Sequence, residues 1–161
     1  MKTFQDVYKR NKQLDDIFFS KYESENSMYE KNCIEFLVEF GEFLNETKCF
    51  KYWSIKKPQR DKVLEELADV FTMLLYFYNV ANLDIDDIDV VSTNSDALEL
   101  INETYSLGTE LYKKLSKELL DKIFMNLLTI AKNLDIDEKD IIEAIDKKHH
   151  IIEERLNNEN Y

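Results

Sequence analysis

The chain has 161 residues and a formal charge of −12 at pH 7, from 33 Asp and Glu against 21 Lys and Arg. That length suits one domain, 1–161, around one core. The charge repels polyanions, which argues against general DNA or RNA binding and demands a local basic patch or metal ions at any phosphate site. With only two glycines and one proline, turn chemistry is scarce and helix-compatible residues abound, so composition points to an all-α bundle of about five to six helices.

The longest apolar stretch, around Val70 to Ala81, falls short of the roughly 20 residues that span a bilayer, and Asn79 interrupts it. Met1 to Asp16 is charged throughout and lacks the apolar segment of a secretory signal. A cytoplasmic location is expected, with Cys33 and Cys49 as reduced thiols.

In chain order, Phe4, Val7, Tyr8, Leu14, Ile17 and Phe18 recur at helical spacing and predict an amphipathic helix ended by the polar residues Ser24 to Ser27. Asn11 and Asp15 share one face of it. A second helix is predicted from Met28 to about Glu46. Within it Glu35, Glu39, Glu42 and Glu46 form one acidic stripe, and Cys33 to Glu46 holds no Lys or Arg to offset their repulsion. A solvated face is the plain reading of such a stripe. Here Ile34, Phe36, Leu37, Val38, Phe40, Phe43 and Leu44 flank it on both sides, which places the carboxylates inward or along a cleft.

The loop from Thr47 to Gln59 holds the one proline, and no acid occurs from Thr47 through Arg60. Its Lys48, Lys51, Lys56 and Lys57, with Arg60 and Lys62 beyond, are expected to set cations beside the acidic stripe. Phe50, Tyr52 and Trp53 suit packing against a base or closing a site, while Trp53 serves equally as a core or interface anchor.

From Arg60 to about Asn82 the apolar period returns, predicting a central, mostly buried helix. Glu66 and Asp69, three apart with Glu65 adjacent, lie among Val63, Leu67, Val70, Phe71, Leu74 and Leu75. Acidic pairs on two buried helices suit magnesium, which takes hard oxygen ligands; zinc would want His or Cys. An acidic and polar connection, Asp84 to Ser95, leads to helix over Ala97 to Asn133, with a break expected near Gly108. A last helix should start near Asp137 and fray after Arg155; its His149 and His150 read as surface or packing residues, not ligands. The run Asn82-Leu83-Asp84-Ile85-Asp86 recurs at Asn133 to Asp137, either an old helix-pair duplication or a recurring way to start a helix.

Residues Val38 to Trp53, V-E-F-G-E-F-L-N-E-T-K-C-F-K-Y-W, resemble a segment of the dimeric all-α dUTPase family, a branch of the helical nucleoside triphosphate pyrophosphohydrolases that include the MazG-like enzymes. They match its E-x-x-E metal motif running into F-K-x-W-S. Glu66 and Asp69 match its E-x-x-D, Asn11 to Asp15 its Q-x-x-L-D, and Lys148 to Arg155 its K-N-x-x-N-x-x-R-Q run.

The resemblance implies a homodimer with a shared bundle. It implies magnesium held by Glu39, Glu42, Glu66 and Asp69, with Glu39 as general base, and substrate contacts from Asn11, Lys51, Trp53, Lys56, Lys148 and Arg155. The implied reaction is hydrolysis of dUTP, with dUDP a further candidate, to dUMP by attack of metal-activated water on the α-phosphorus. Asn11 stands in place of Gln, Thr72 and Met73 in place of His-Phe, and Ile152 and Leu156 in place of Asn and Gln, where the family reads sugar and base. Loss of polar groups there leaves open another nucleotide such as dCTP. A helical binding module without catalysis is the third reading.

Overall fold

The computed structural model describes residues 1–85 and 96–158. Of the predicted Asp84 to Ser95 connection, 86–95 lie outside the described residues. Among those described there are six helices and no strand: α1 (Phe4–Lys21), α2 (Met28–Thr47), α3 (Arg60–Val80), α4 (Ala97–Glu110), α5 (Lys117–Asn133) and α6 (Glu138–Asn157). The all-α expectation holds, and no described helix is long and apolar enough to cross a membrane.

Helix starts follow local chemistry. Thr3 and Asp6 form a reciprocal capping box on α1, and Asp137 and Asp140 form one on α6, so the first orphan amides of each helix find acceptors. Asp140 also takes Arg60 Nη2 at 2.8 Å, tying the start of α6 to the start of α3.

The central helix is α3. Its Val63, Leu67, Val70, Phe71, Leu74, Leu75, Phe77 and Tyr78 are buried, and it packs on α1, α2, α5 and α6. From α2, Phe36, Phe40 and Phe43 are fully buried, each contributing about 1.5–3 kcal/mol on removal from water. Ile34 and Val38, two of the apolar residues that flank the acidic stripe, are 55% and 52% exposed. A helix of this radius can bury only one stripe against the core, and the phenylalanines occupy it.

The expected break near Gly108 falls later. Gly108 is buried inside α4, where an added Cβ would lie 2.9 Å from Leu37 Cδ2 and 3.1 Å from Phe36 Cε1. The missing side chain permits α2 and α4 to approach closely. The chain turns after Glu110, and Ser116 caps α5 by accepting from Leu119 N. The repeated Asn-Leu-Asp-Ile-Asp run does not mark equivalent turns: positive φ falls on Asn82 after α3 but on Asp135 after α5, two places apart within the run.

Candidate active site

Glu39 and Glu42 on α2 meet Glu66 on α3, with one carboxylate oxygen of each within 4.8 Å of the others. At an effective dielectric near 20, two full charges at that distance repel by about 3.5 kcal/mol. Burial adds to this repulsion in raising the carboxyls of Glu39 and Glu66. Burial first, then the charges of Asp69 and Glu42, push Glu39 up to about 8. Burial and Asp69 likewise raise Glu66 and Glu35. Three oxygens so placed, with no His or Cys among them, fit a hard divalent cation that would neutralise them.

Asp69, the fourth predicted ligand, faces a cation of the chain's own: its Oδ1 lies 2.5 Å from Lys148 Nζ on α6. Burial still raises the Asp69 carboxyl, with the Lys148 hydrogen bond and charge pulling against it. Breaking such a poorly solvated pair costs more than its making gains, because the remaining charge stays behind in low dielectric.

Glu39 and Asp69 open into a cleft of about 260 Å³ between α1, α2, α3 and α6. Asn11, Asp15, Lys148 and Arg155 line it together with Phe18, Phe19, Met73 and Tyr76. Acidic groups, two cations and an aromatic wall thus share one space, in which a phosphate chain can meet charge and a flat ring can meet carbon.

Of the predicted site residues, Asn11, Glu39, Asp69, Lys148 and Arg155 line this cleft, and Glu42 and Glu66 cluster with Glu39. Lys51, Trp53 and Lys56 do not line it. They sit on the loop between α2 and α3, where Lys56 is exposed and Trp53 is 64% exposed. Trp53 packs edge-on against Phe50 and Tyr52, and it is no core anchor. Glu46 leaves the stripe for Lys48, 3.9 Å away.

Sequence reasoning passed over a polar network that starts in the wall of the cleft. Asp15 Oδ2 accepts from Asn11 Nδ2 at 3.2 Å and from Asn79 Nδ2 at 3.0 Å. Burial pushes Asp15 up to about 7 despite both bonds. His149, read as a surface or packing residue, is buried with Nε2 2.9 Å from Asn11 Oδ1. The available signals were Asn79, a lone amide in an apolar run, and the shared face of Asn11 and Asp15; nothing in the sequence linked His149 to them.

Carboxylates gathered from two neighbouring helices beside a polar and aromatic cleft can hold a hard cation next to a phosphate chain, an arrangement suited to metal-assisted phosphoryl or nucleotidyl hydrolysis. A model of the dUTPase family matches residues 3–161. The chain belongs to that family and is a nucleoside triphosphate pyrophosphohydrolase, one of an all-α, metal-dependent group. No curated protein matches the chain.

Proposed function

We propose that this single domain hydrolyses dUTP, and dUDP as a second substrate, to dUMP by attack of water on the α-phosphorus, with magnesium as cofactor. The observation that carries the reading is that Glu39, clustered with Glu42 and Glu66, opens into the cleft that Asp69, Lys148 and Arg155 also line. Glu39, Glu42, Glu66 and Asp69 would hold the ion, which supplies charge neutralisation and makes a nearby water more acidic. Lys148 and Arg155 bind phosphate oxygens, and Lys148 leaves Asp69 to do so. Glu39 takes the proton of the attacking water on a carboxylate oxygen; burial and its acidic neighbours raise its carboxyl, and a cation bound beside it would favour the ionised form that accepts that proton.

The base takes the other end of the cleft, against Phe18, Phe19, Met73 and Tyr76. Both amide bonds fall on Asp15 Oδ2, leaving Oδ1 to meet a ring N–H. Cytosine offers that oxygen an amino group, so dCTP is the competing substrate.

The chain acts as a homodimer. Ile34 and Val38 on α2 and Tyr112 after α4 are each more than half exposed, an apolar face a second copy would cover. Lys51, Trp53 and Lys56 reach substrate from that second copy. Mixing Glu39→Gln with Trp53→Ala chains should then restore activity that neither variant has alone.

Pyrophosphate release from dUTP, dCTP, dTTP and dATP with magnesium, for wild type and Glu39→Gln, tests the reading. Selective dUTP cleavage lost in the variant supports it. Cleavage of dCTP alone moves the substrate, and cleavage of none refutes the assignment.

A further inference from the structure

The tautomer of His149 follows from its neighbours. Asn11 Nδ2 faces two acceptors, Asp15 Oδ2 at 3.2 Å and the Thr72 carbonyl at 3.4 Å, so the amide must turn its NH2 that way and its oxygen toward His149. Asn11 Oδ1 can only accept, and His149 Nε2 at 2.9 Å must therefore carry the proton and donate. Nδ1 is left as a bare acceptor, buried and with no hydrogen-bond partner among the described residues.

That arrangement is costly for a residue that merely fills space. An unsatisfied buried acceptor costs about 1–3 kcal/mol, and at a position only 1% exposed an apolar side chain of similar size would avoid it. The Nε2–H bond is what the ring provides in return. It adds to the hold that Asp15 and the Thr72 carbonyl exert on the amide: a flipped amide would set the Asn11 oxygen against both acceptors and would drive the ring proton onto the buried, unpartnered Nδ1. Asn11 is itself 3% exposed, so water cannot substitute for His149 there.

We propose that His149 is a positioning residue: by donating from Nε2 it fixes the Asn11 amide, and through it the Asp15 carboxyl at the base end of the cleft. The inference rests on the nucleotide reading of that cleft. Asp15 Oδ2 is held from two sides, by Asn11 from α1 and Asn79 from α3, so the plane of its carboxyl, and hence the aim of Oδ1, depends on both amides facing correctly. Loss of the His149 donor leaves the Asn11 oxygen unpaired and loosens the hold on one of them.

The test is steady-state hydrolysis of dUTP with magnesium by wild type, His149→Phe and His149→Gln, with folding checked by thermal melts. Imidazole nitrogen NMR of the wild type reads the tautomer directly. His149→Phe should raise KM about five- to tenfold, the worth of one buried hydrogen bond, and move kcat less than about threefold. His149→Gln, which keeps an N–H at similar reach, should return KM to within about threefold of wild type. The NMR spectrum should show the proton on Nε2 from pH 6 to 8.

A KM unchanged in a folded Phe variant, a folded Gln variant as impaired as Phe, or a proton on Nδ1 each overturns the proposal. Should the Phe variant not fold, the Gln variant and the tautomer decide it by the same criteria. Wild type inert toward every nucleotide would refute the functional reading instead, and the tautomer measurement would still judge the amide lock.

Discussion

Replacing Glu39 with Gln should stabilise the metal-free protein while abolishing its activity. Burial and the charges of Asp69 and Glu42 raise the Glu39 carboxyl from 4.5 to about 8. The folded state therefore binds a proton that the unfolded state releases, and ionisation works against folding. No penalty exists below about pH 4.5; it grows as pH rises toward 8 and is constant beyond. At pH 7 a fully shielded group would lose about 3.4 kcal/mol, at 1.36 kcal/mol per pH unit. Glu39 is only half-buried, so solvent screening reduces this to about 1–2 kcal/mol.

Gln occupies the same volume, can still bond Glu42 and carries no charge. For a chain of this size, thermal melts at pH 7 without metal should place Glu39→Gln about 2–8 °C above wild type. The gain should vanish near pH 4.5, and magnesium should raise the wild type more than the variant. A variant no more stable than wild type at pH 7, or equally stabilised at pH 4.5, would refute the electrostatic account.

Lys148→Met leaves Asp69 half-buried without its cation and should cost about 1–3 kcal/mol at pH 7, seen as a lower melting temperature that magnesium or mild acid partly restores. Gly108→Ala should destabilise by about 1–2 kcal/mol net in urea unfolding: overpacking against Leu37 and Phe36 outweighs the better helix propensity of Ala. Ile34→Asp, at an exposed position on α2, should halve the mass measured by light scattering, from twice 19.2 kDa to 19.2 kDa, with the helical content unchanged.

The clustering of carboxylates at the candidate site was legible because its physics is local. Glu39 and Glu42, and Glu66 and Asp69, each sit one turn apart, and a run without Lys or Arg announces that counter-charge must come from elsewhere. The bounds of α2 and α3 were predicted to within two residues at either end, since the apolar period and the one proline delimit them. Contacts between distant residues were not legible. His149 and Asn11 are 138 positions apart, and a single sequence carries no sign that a histidine on the last helix orients an amide on the first. Gly108 read as a helix breaker because propensity speaks for backbone alone; its use is to let Leu37 and Phe36 come close. The exposure of Ile34 and Val38 was not legible either, because a helix apolar on both flanks does not say which flank the chain itself covers.

Hydrolysis of dUTP in water enriched with oxygen-18 tests the central claim most directly, read by phosphorus NMR of the separated products. Label in dUMP, with unlabelled pyrophosphate, is the predicted result for attack at the α-phosphorus. Label in pyrophosphate, or no turnover with magnesium at all, would contradict it.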